Sequence, residues 1–236
     1  MRQKINPWRH STAIAGGIGS LHLIGREGAS MERVLTQRLG DCAGDRKYSL
    51  HCGRMGRSKR DSRRLAPGHG WRAQPDHKIL VLGRGAVRLE IPDTWIVEMT
   101  DDCVKVSDKK PPDDDCALRV SYHRWPAAGQ KLSVASLVTS ALEGDERTFR
   151  SIDPVIAQIK IDIELAWCQA RFVDPRIDRE AYARLAIARK GEIQALITFD
   201  FWSTDFARCD PLWKMFLATL ELGQWVADPL RGPLLS

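Results

Sequence analysis

The chain has 236 residues and a formal net charge of +6. Residues 1–78 hold sixteen Lys and Arg against six Asp and Glu, and residues 79–236 hold twenty against twenty-four, so +10 and −4 make up the +6. The basic balance is thus a property of the front third alone, and no apolar run approaches the ~20 residues of a membrane-spanning helix.

The front third is poor in core material. Between Gly40 and Lys78 the only large apolar residues are Tyr48, Leu50, Met55, Leu65 and Trp71. That is too little apolar surface to offset the entropy of ordering the chain, so residues 1–78 are expected to be a mostly disordered basic extension. Three readings of it stay open. The run Arg54-Met55-Gly56-Arg57-Ser58-Lys59-Arg60 suits a nucleic-acid arm. Arg2, Lys4 and Arg9 ahead of an apolar stretch suit a targeting peptide, although glycines interrupt that stretch and no secretory cleavage site follows. Met31 and Met55 also offer later starts.

Residues 79–228 have the size of one domain, followed by a tail over residues 229–236. The six cysteines do not demand a disulfide framework in a domain this large. Pairing strands about the loop between Cys103 and Cys116 leaves these two roughly 13 Å apart, too far for a bridge. Reduced thiols and a cytoplasmic location are expected. The spacing of Cys42, His51, Cys52, His69 and His77 matches no compact zinc motif. No metal, cofactor or catalytic residue is assigned.

In chain order, Val87, Leu89 and Ile91 alternate with polar residues up to Pro92 and predict a strand. Trp95, Val97 and Met99 predict a second, Val104 and Val106 a third, and Leu118, Val120 and Tyr122 a fourth, giving a four-strand antiparallel run. The period then changes to that of a helix, with Val134, Leu137, Val138, Ala141 and Leu142 on one face, Ser133 as N-cap and Gly144 as stop. A long strand is expected from Ile159 through Trp167 to Phe172, with a β-bulge near Cys168 where the apolar phase slips. Ala183, Leu185 and Ile187 face a return strand of Ile193 to Phe201. A three-residue loop, Lys190-Gly191-Glu192, pairs Leu185 with Ile197 and Ile187 with Ala195 and keeps one face apolar. Asp210 and Pro211 then open a last helix carrying Leu212, Met215, Phe216, Thr219 and Leu220.

This order of elements, with Arg88-Leu89-Glu90-Ile91-Pro92-Asp93-Thr94-Trp95 at its start, resembles the PsbP-like family over residues 84 to about 226. The resemblance implies an α+β fold, an α/β/α sandwich around an antiparallel β-sheet. It also implies a non-catalytic adaptor role, since familiar members act by docking.

Several segments look chemical without carrying chemistry. His123 is the body's single histidine, has no nucleophile placed beside it, and is expected on a solvated strand face. Asp113-Asp114-Asp115 lacks the spacing of a calcium loop and reads as a solvated acidic turn. Leu82-Gly83-Arg84-Gly85-Ala86 leads into a strand, so it is no phosphate loop. The candidate binding face lies on the long strands. The register above places Tyr182 opposite Asp200 and makes Arg184 and Asp200 diagonal neighbours within ion-pair reach. Trp202, and Trp125 just before Pro126 at a strand end, are the tryptophans expected to be exposed. The leading expectation is a non-enzymatic module that docks a protein partner through these residues. A small-ligand carrier or enzyme using Tyr182, Arg184, Asp200 and His123 is the alternative, and nucleic-acid binding through residues 1–78 is a third.

Overall fold

The structure, a computed structural model, describes residues 69–100, 102–126, 132–228 and 231–233, together with the backbone of three earlier strands: β1 (Leu21–Glu27), β2 (Met31–Gln37) and β3 (Asp61–Arg64). The basic run at 54–60 and the remaining expectations on residues 1–68 lie outside the described residues.

Two antiparallel sheets form. The larger has the order β10 (Ile156–Lys160), β11 (Ile163–Asp174), β12 (Arg179–Lys190), β13 (Ile193–Trp202), β8 (Cys116–Arg124), β7 (Val104–Ser107) and β6 (Ile96–Met99); β9 (Phe149–Ile152) pairs with β11 beside β10. The smaller runs β14 (Glu221–Leu222), β5 (Val87–Pro92), β4 (His77–Leu82), then β1, β2 and β3.

Each face of the large sheet carries a helix. On one side lies α1 (Val134–Glu143), begun by Ser133, whose Oγ accepts from the Ser136 N–H at 3.1 Å, and stopped at Gly144. Its buried Val134, Val138 and Leu142 pack on Ala166, Cys168, Ala170, Leu185 and Ile187. On the other side α2 (Phe206–Thr219) buries Cys209, Trp213, Phe216 and Leu217 against Ile197, Phe199 and Phe201. Leu80, Leu82, Leu89 and Ile91 of the small sheet complete this main core. The α/β/α arrangement is therefore present, with the small sheet added beside α2.

Several details differ from the sequence reading, and those along β11 to β13 have one cause: both faces of the large sheet are covered. β5 does not pair with β6 but with β4, a strand the sequence concealed because Ile79, Leu80, Val81 and Leu82 are all buried and show no alternation. The boundary at 78/79 falls inside this strand. Trp71, assigned to the extension, is buried against Ile79, Val81 and Val226, and the tail returns to it, since the Gly70 N–H donates to the Arg231 carbonyl at 2.7 Å.

The predicted strand beginning at Ile159 is a hairpin. Lys160 pairs with Ile163, and Ile161 and Asp162 form a two-residue turn. No bulge occurs at Cys168 in the β11–β12 ladder, which is regular from Glu164 to Asp174. The apolar phase slips because Leu165 and Trp167 face the α2 side while Ala166, Cys168 and Ala170 face α1.

The β12–β13 loop is Gly191-Glu192, one residue shorter than expected, so Leu185 pairs with Thr198 and Ile187 with Leu196. Burial on one face cannot select the register of a strand buried on both. α2 begins at Phe206, after a 3-10 turn over Ser203–Asp205, and Pro211 lies inside it rather than at its first position.

Candidate functional site

The register decides where every candidate residue points. Tyr182 lies opposite Phe201 and Arg184 opposite Phe199, whereas Asp200 lies opposite Ala183 and Trp202 opposite Ala181. Tyr182 and Arg184 thus face α2. Asp200 and Trp202 face the α1 side, and the expected Arg184–Asp200 pair does not form.

On the α2 side the Arg184 side chain is only 3% exposed. Its Nε donates to Gln169 Oε1 and its Nη2 to Asp210 Oδ1, both at 2.8 Å, while Trp167, Phe201 and Phe206 surround the guanidinium. Asp210 also takes an ion pair from Lys214 at 2.7 Å, and Lys214, then Arg184, hold its carboxyl below the usual range. Tyr182 stacks on Phe201 and accepts a hydrogen bond from Arg171. Arg184 is a buried anchor between sheet and helix, not a surface contact.

On the α1 side Asp200 is shared by two arginines: Arg119 donates to Oδ2 at 2.7 Å and Arg147 to Oδ1 at 3.0 Å. Arg147 also clasps Asp145 through Nε and Nη2 and lies over Phe149 and Phe172. Burial works against the Arg147 charge, but Asp200 and Asp145 outweigh it and push its pKa upward. Trp202, expected to be exposed, is 4% exposed and lies under Arg179. Trp125 is 47% exposed at the end of β8, as expected.

His123 also faces this side and is half-buried rather than solvated. Tyr182, Arg184, Asp200 and His123 are therefore split between opposite faces of one sheet and do not come together in one site. Asp114 is likewise buried, ion-paired to Lys105 at 2.8 Å, and Asp108 ties down the same loop by accepting from the Asp115 and Cys116 N–H groups. Among the described residues no cluster of three His, Cys, Asp or Glu is placed to hold a metal. No helix among them is long and apolar enough to cross a membrane.

Burial lowers the His123 pKa below its ordinary 6.5. The unfolded chain then binds more protons than the folded one between 6.5 and the lower folded value, so stability falls as pH drops through that window. We expect the His123→Gln variant to show a shallower loss of melting temperature on acidification across that window. An unchanged pH profile would remove His123 as a contributor.

What remains accessible is the outer edge of the large sheet. Of nine exposed large apolar side chains among the described residues, four are Ile152, Ile156, Ile159 and Ile161. Ile159 is 78% and Ile161 91% exposed. β10 ends the strand order, and its last residue, Lys160, is turned inward, its Nζ donating to the Leu217 and Leu220 carbonyls at the end of α2 at 3.2 Å each. In a two-residue hairpin the flanking pair, here Lys160 and Ile163, is the hydrogen-bonded one. Alternation then turns the N–H and C=O of Ala157 and Ile159 outward, away from β11.

Ile161 adds a cost. Its φ is +57°, a left-handed conformation that a β-branched residue avoids. The sequence reading missed this edge because Ile159, Ile161 and Ile163 look like buried alternation and no Gly, Asn or Pro marks the turn. The one available signal was length, since a strand from 159 to 172 exceeds the usual three to ten residues.

A family model described as Alr1449 matches residues 78–226, the whole of both helices and the strands from β5 to β14. The chain belongs to the Alr1449 family. It is 35% identical over 170 residues to the uncharacterised protein alr1449 of Nostoc sp. PCC 7120, a match covering 71% of this chain and 88% of the relative. The Alr1449 chain is also similar to the cyanobacterial PsbP of Synechocystis sp. PCC 6803, with TM-score 0.42 and 13% identity over 58% of this chain and 87% of that one. A Pseudomonas aeruginosa protein of unknown function, a putative regulator by its description, is similar with TM-score 0.40 and 18% identity over 58% and 91% of the two chains. A Bacteroides thetaiotaomicron structure is similar with TM-score 0.41 and 16% identity, but only 45% of its length is spanned. The antiparallel sheets and two helices of this Alr1449 member agree with the α/β/α sandwich expected from its sequence.

Proposed function

We propose that the protein is a non-enzymatic module that docks a partner protein by strand addition along β10. The observation that supports this reading is the exposed Ile156 and Ile159 on a terminal strand, with Ile161 at its turn, whose outward backbone groups have no strand beside them among the described residues. Such an edge is a template for a further strand: main-chain hydrogen bonds supply affinity and alternate side chains supply specificity. Natural edges are commonly guarded by an outward lysine, and here the one lysine of β10 is drawn into the fold. The occupant is accordingly an extended segment of a protein, with apolar side chains on the face it shares with Ile159.

The strained, solvent-facing Ile161 supports the same reading, because it gains nothing in the isolated protein. Ile161→Asn should stabilise the protein by about 1 kcal/mol, since Asn tolerates the left-handed region, and should weaken partner binding at the same time. A variant with both unchanged stability and unchanged binding would count against a docking role for this turn.

The reading is tested with a photoreactive side chain at position 159 of the full chain, in parallel with Ile159→Lys in affinity capture. The expected result is a protein crosslinked at 159 and lost from the Ile159→Lys capture. Equal capture by both chains overturns it.

A further inference from the structure

We infer that the strand received by β10 is β10 of a second copy of this chain. The inference rests on the docking reading above and names its partner. The argument is one of self-complementarity. An antiparallel pair related by a two-fold axis perpendicular to the sheet must be centred on a residue, and its outward-facing backbone groups must meet.

Of the residues in β10 only Ala157 and Ile159 have outward N–H and C=O groups, as the Lys160–Ile163 closure of the hairpin dictates. Centring on Ile159 lets the two Ile159 residues exchange both main-chain hydrogen bonds. It also sets Ala157 opposite Ile161 of the partner copy, twice over. Every side chain of that row is apolar, and Ile159 and Ile161 are the two most exposed large apolar residues described.

The opposite face is compatible. There Gln158 falls opposite the partner copy's Lys160, and neither like charges nor two bulky groups are forced together. Centring on Ala157 instead pairs Ile159 with Val155 and leaves the strained Ile161 unused. The Ile159 centre is the one that employs it. Ala157 and Ile159 lie on the α1 side, since Ala157 pairs with Ala166 and Ile159 with Glu164, and Ile161 follows them in the turn. Two large sheets would thus join into one continuous sheet with both α1 helices on the same side.

A strand of this length buries less than the ~1,200 Å² total of a standard stable interface. The association is therefore concentration-dependent rather than obligate.

The full chain is examined by sedimentation velocity across about a hundredfold range of concentration. The expected result is a monomer–dimer equilibrium for the unsubstituted chain and a monomer at all concentrations for Ile159→Lys. Register is read by mild oxidation: Ala157→Cys mixed with Ile161→Cys should give the crosslinked pair, because opposed residues on paired strands stand about 5.5 Å apart at Cα, within disulfide reach. Ala157→Cys alone should crosslink no more than the unsubstituted chain does. Dimers that persist in Ile159→Lys, or crosslinking by Ala157→Cys alone at the mixed level, overturn the inference.

A monomer at every concentration also overturns it. If capture of a different protein is still lost in Ile159→Lys, the docking reading stands without the second copy. If capture is indifferent to Ile159→Lys, both fail.

Discussion

Replacing Asp200 with Ala should cost about 3–5 kcal/mol of stability, the range for removing one partner from a buried ion pair. For a domain of this size that is a fall of roughly 6–20 °C in melting temperature. The cause is not the loss of a favourable contact alone. Asp200 is the common acceptor of Arg119 at 2.7 Å and Arg147 at 3.0 Å, and their side chains are largely buried. Arg147 keeps Asp145, but both guanidiniums lose the carboxylate between them in a site where water cannot replace it fully. Asp162→Ala is the comparison: its pair with Lys190 is half-exposed, and its loss should change stability by less than about 1 kcal/mol. Thermal melts of the two variants decide the matter. An Asp200→Ala protein melting within two degrees or so of the parent would show that the network is not load-carrying.

Gly85→Ala is expected to be as damaging, by a different route. Gly83, Arg84 and Gly85 all have positive φ, at +56°, +54° and +96°, and close the β4–β5 turn. A Cβ on Gly85 would stand 1.7 Å from the Gln224 carbonyl oxygen, so one of two backbones must move. Those backbones are held together by the Gly223 N–H donating to Ala86 O and the Val226 N–H to Arg84 O, each at 3.0 Å. Separating them forfeits those bonds, at about 1 kcal/mol each, on top of the left-handed penalty of about 1–2 kcal/mol. We expect a total of at least about 3 kcal/mol. Gly191→Ala isolates the clash: its φ is +54° but nothing lies within 4 Å of the added carbon, so only the conformational penalty of about 1–2 kcal/mol applies. Equal melting temperatures for the two variants would refute the steric argument.

The parts of the fold that were legible in the sequence are those governed by local chemistry. α1 runs between Ser133 and Gly144 as its caps and apolar period require. β5, β7, β8, β12 and β13 fall where alternation or apolar richness placed them. The Gly83–Gly85 segment leads into a strand, as its context implied, though the β4 strand it joins to β5 was not read. The candidate site was less legible. Tyr182, Arg184, Asp200 and Trp202 lie on adjacent strands as expected, but a one-residue difference in the β12–β13 loop sends Tyr182 and Arg184 to one face and Asp200 and Trp202 to the other.

What the sequence by itself determined is both helices, most of the strands, the caps of α1 and the uneven charge, because each follows from neighbours within a few residues. What only the tertiary structure decided is register, burial and edge. Ile159 and Ile161 have the same chemistry as Ile163 and Ile187, yet the first two stand in solvent and the others in the core. Alternation reports that a strand has two faces; whether a helix, a second sheet or water covers each face depends on segments far away in the chain. Here α1 and α2 cover both faces of β11 and β12, while β10 at the end of the sheet leaves Ile156 and Ile159 in solvent, and that uneven coverage turns one isoleucine run into core at one end and an open edge at the other.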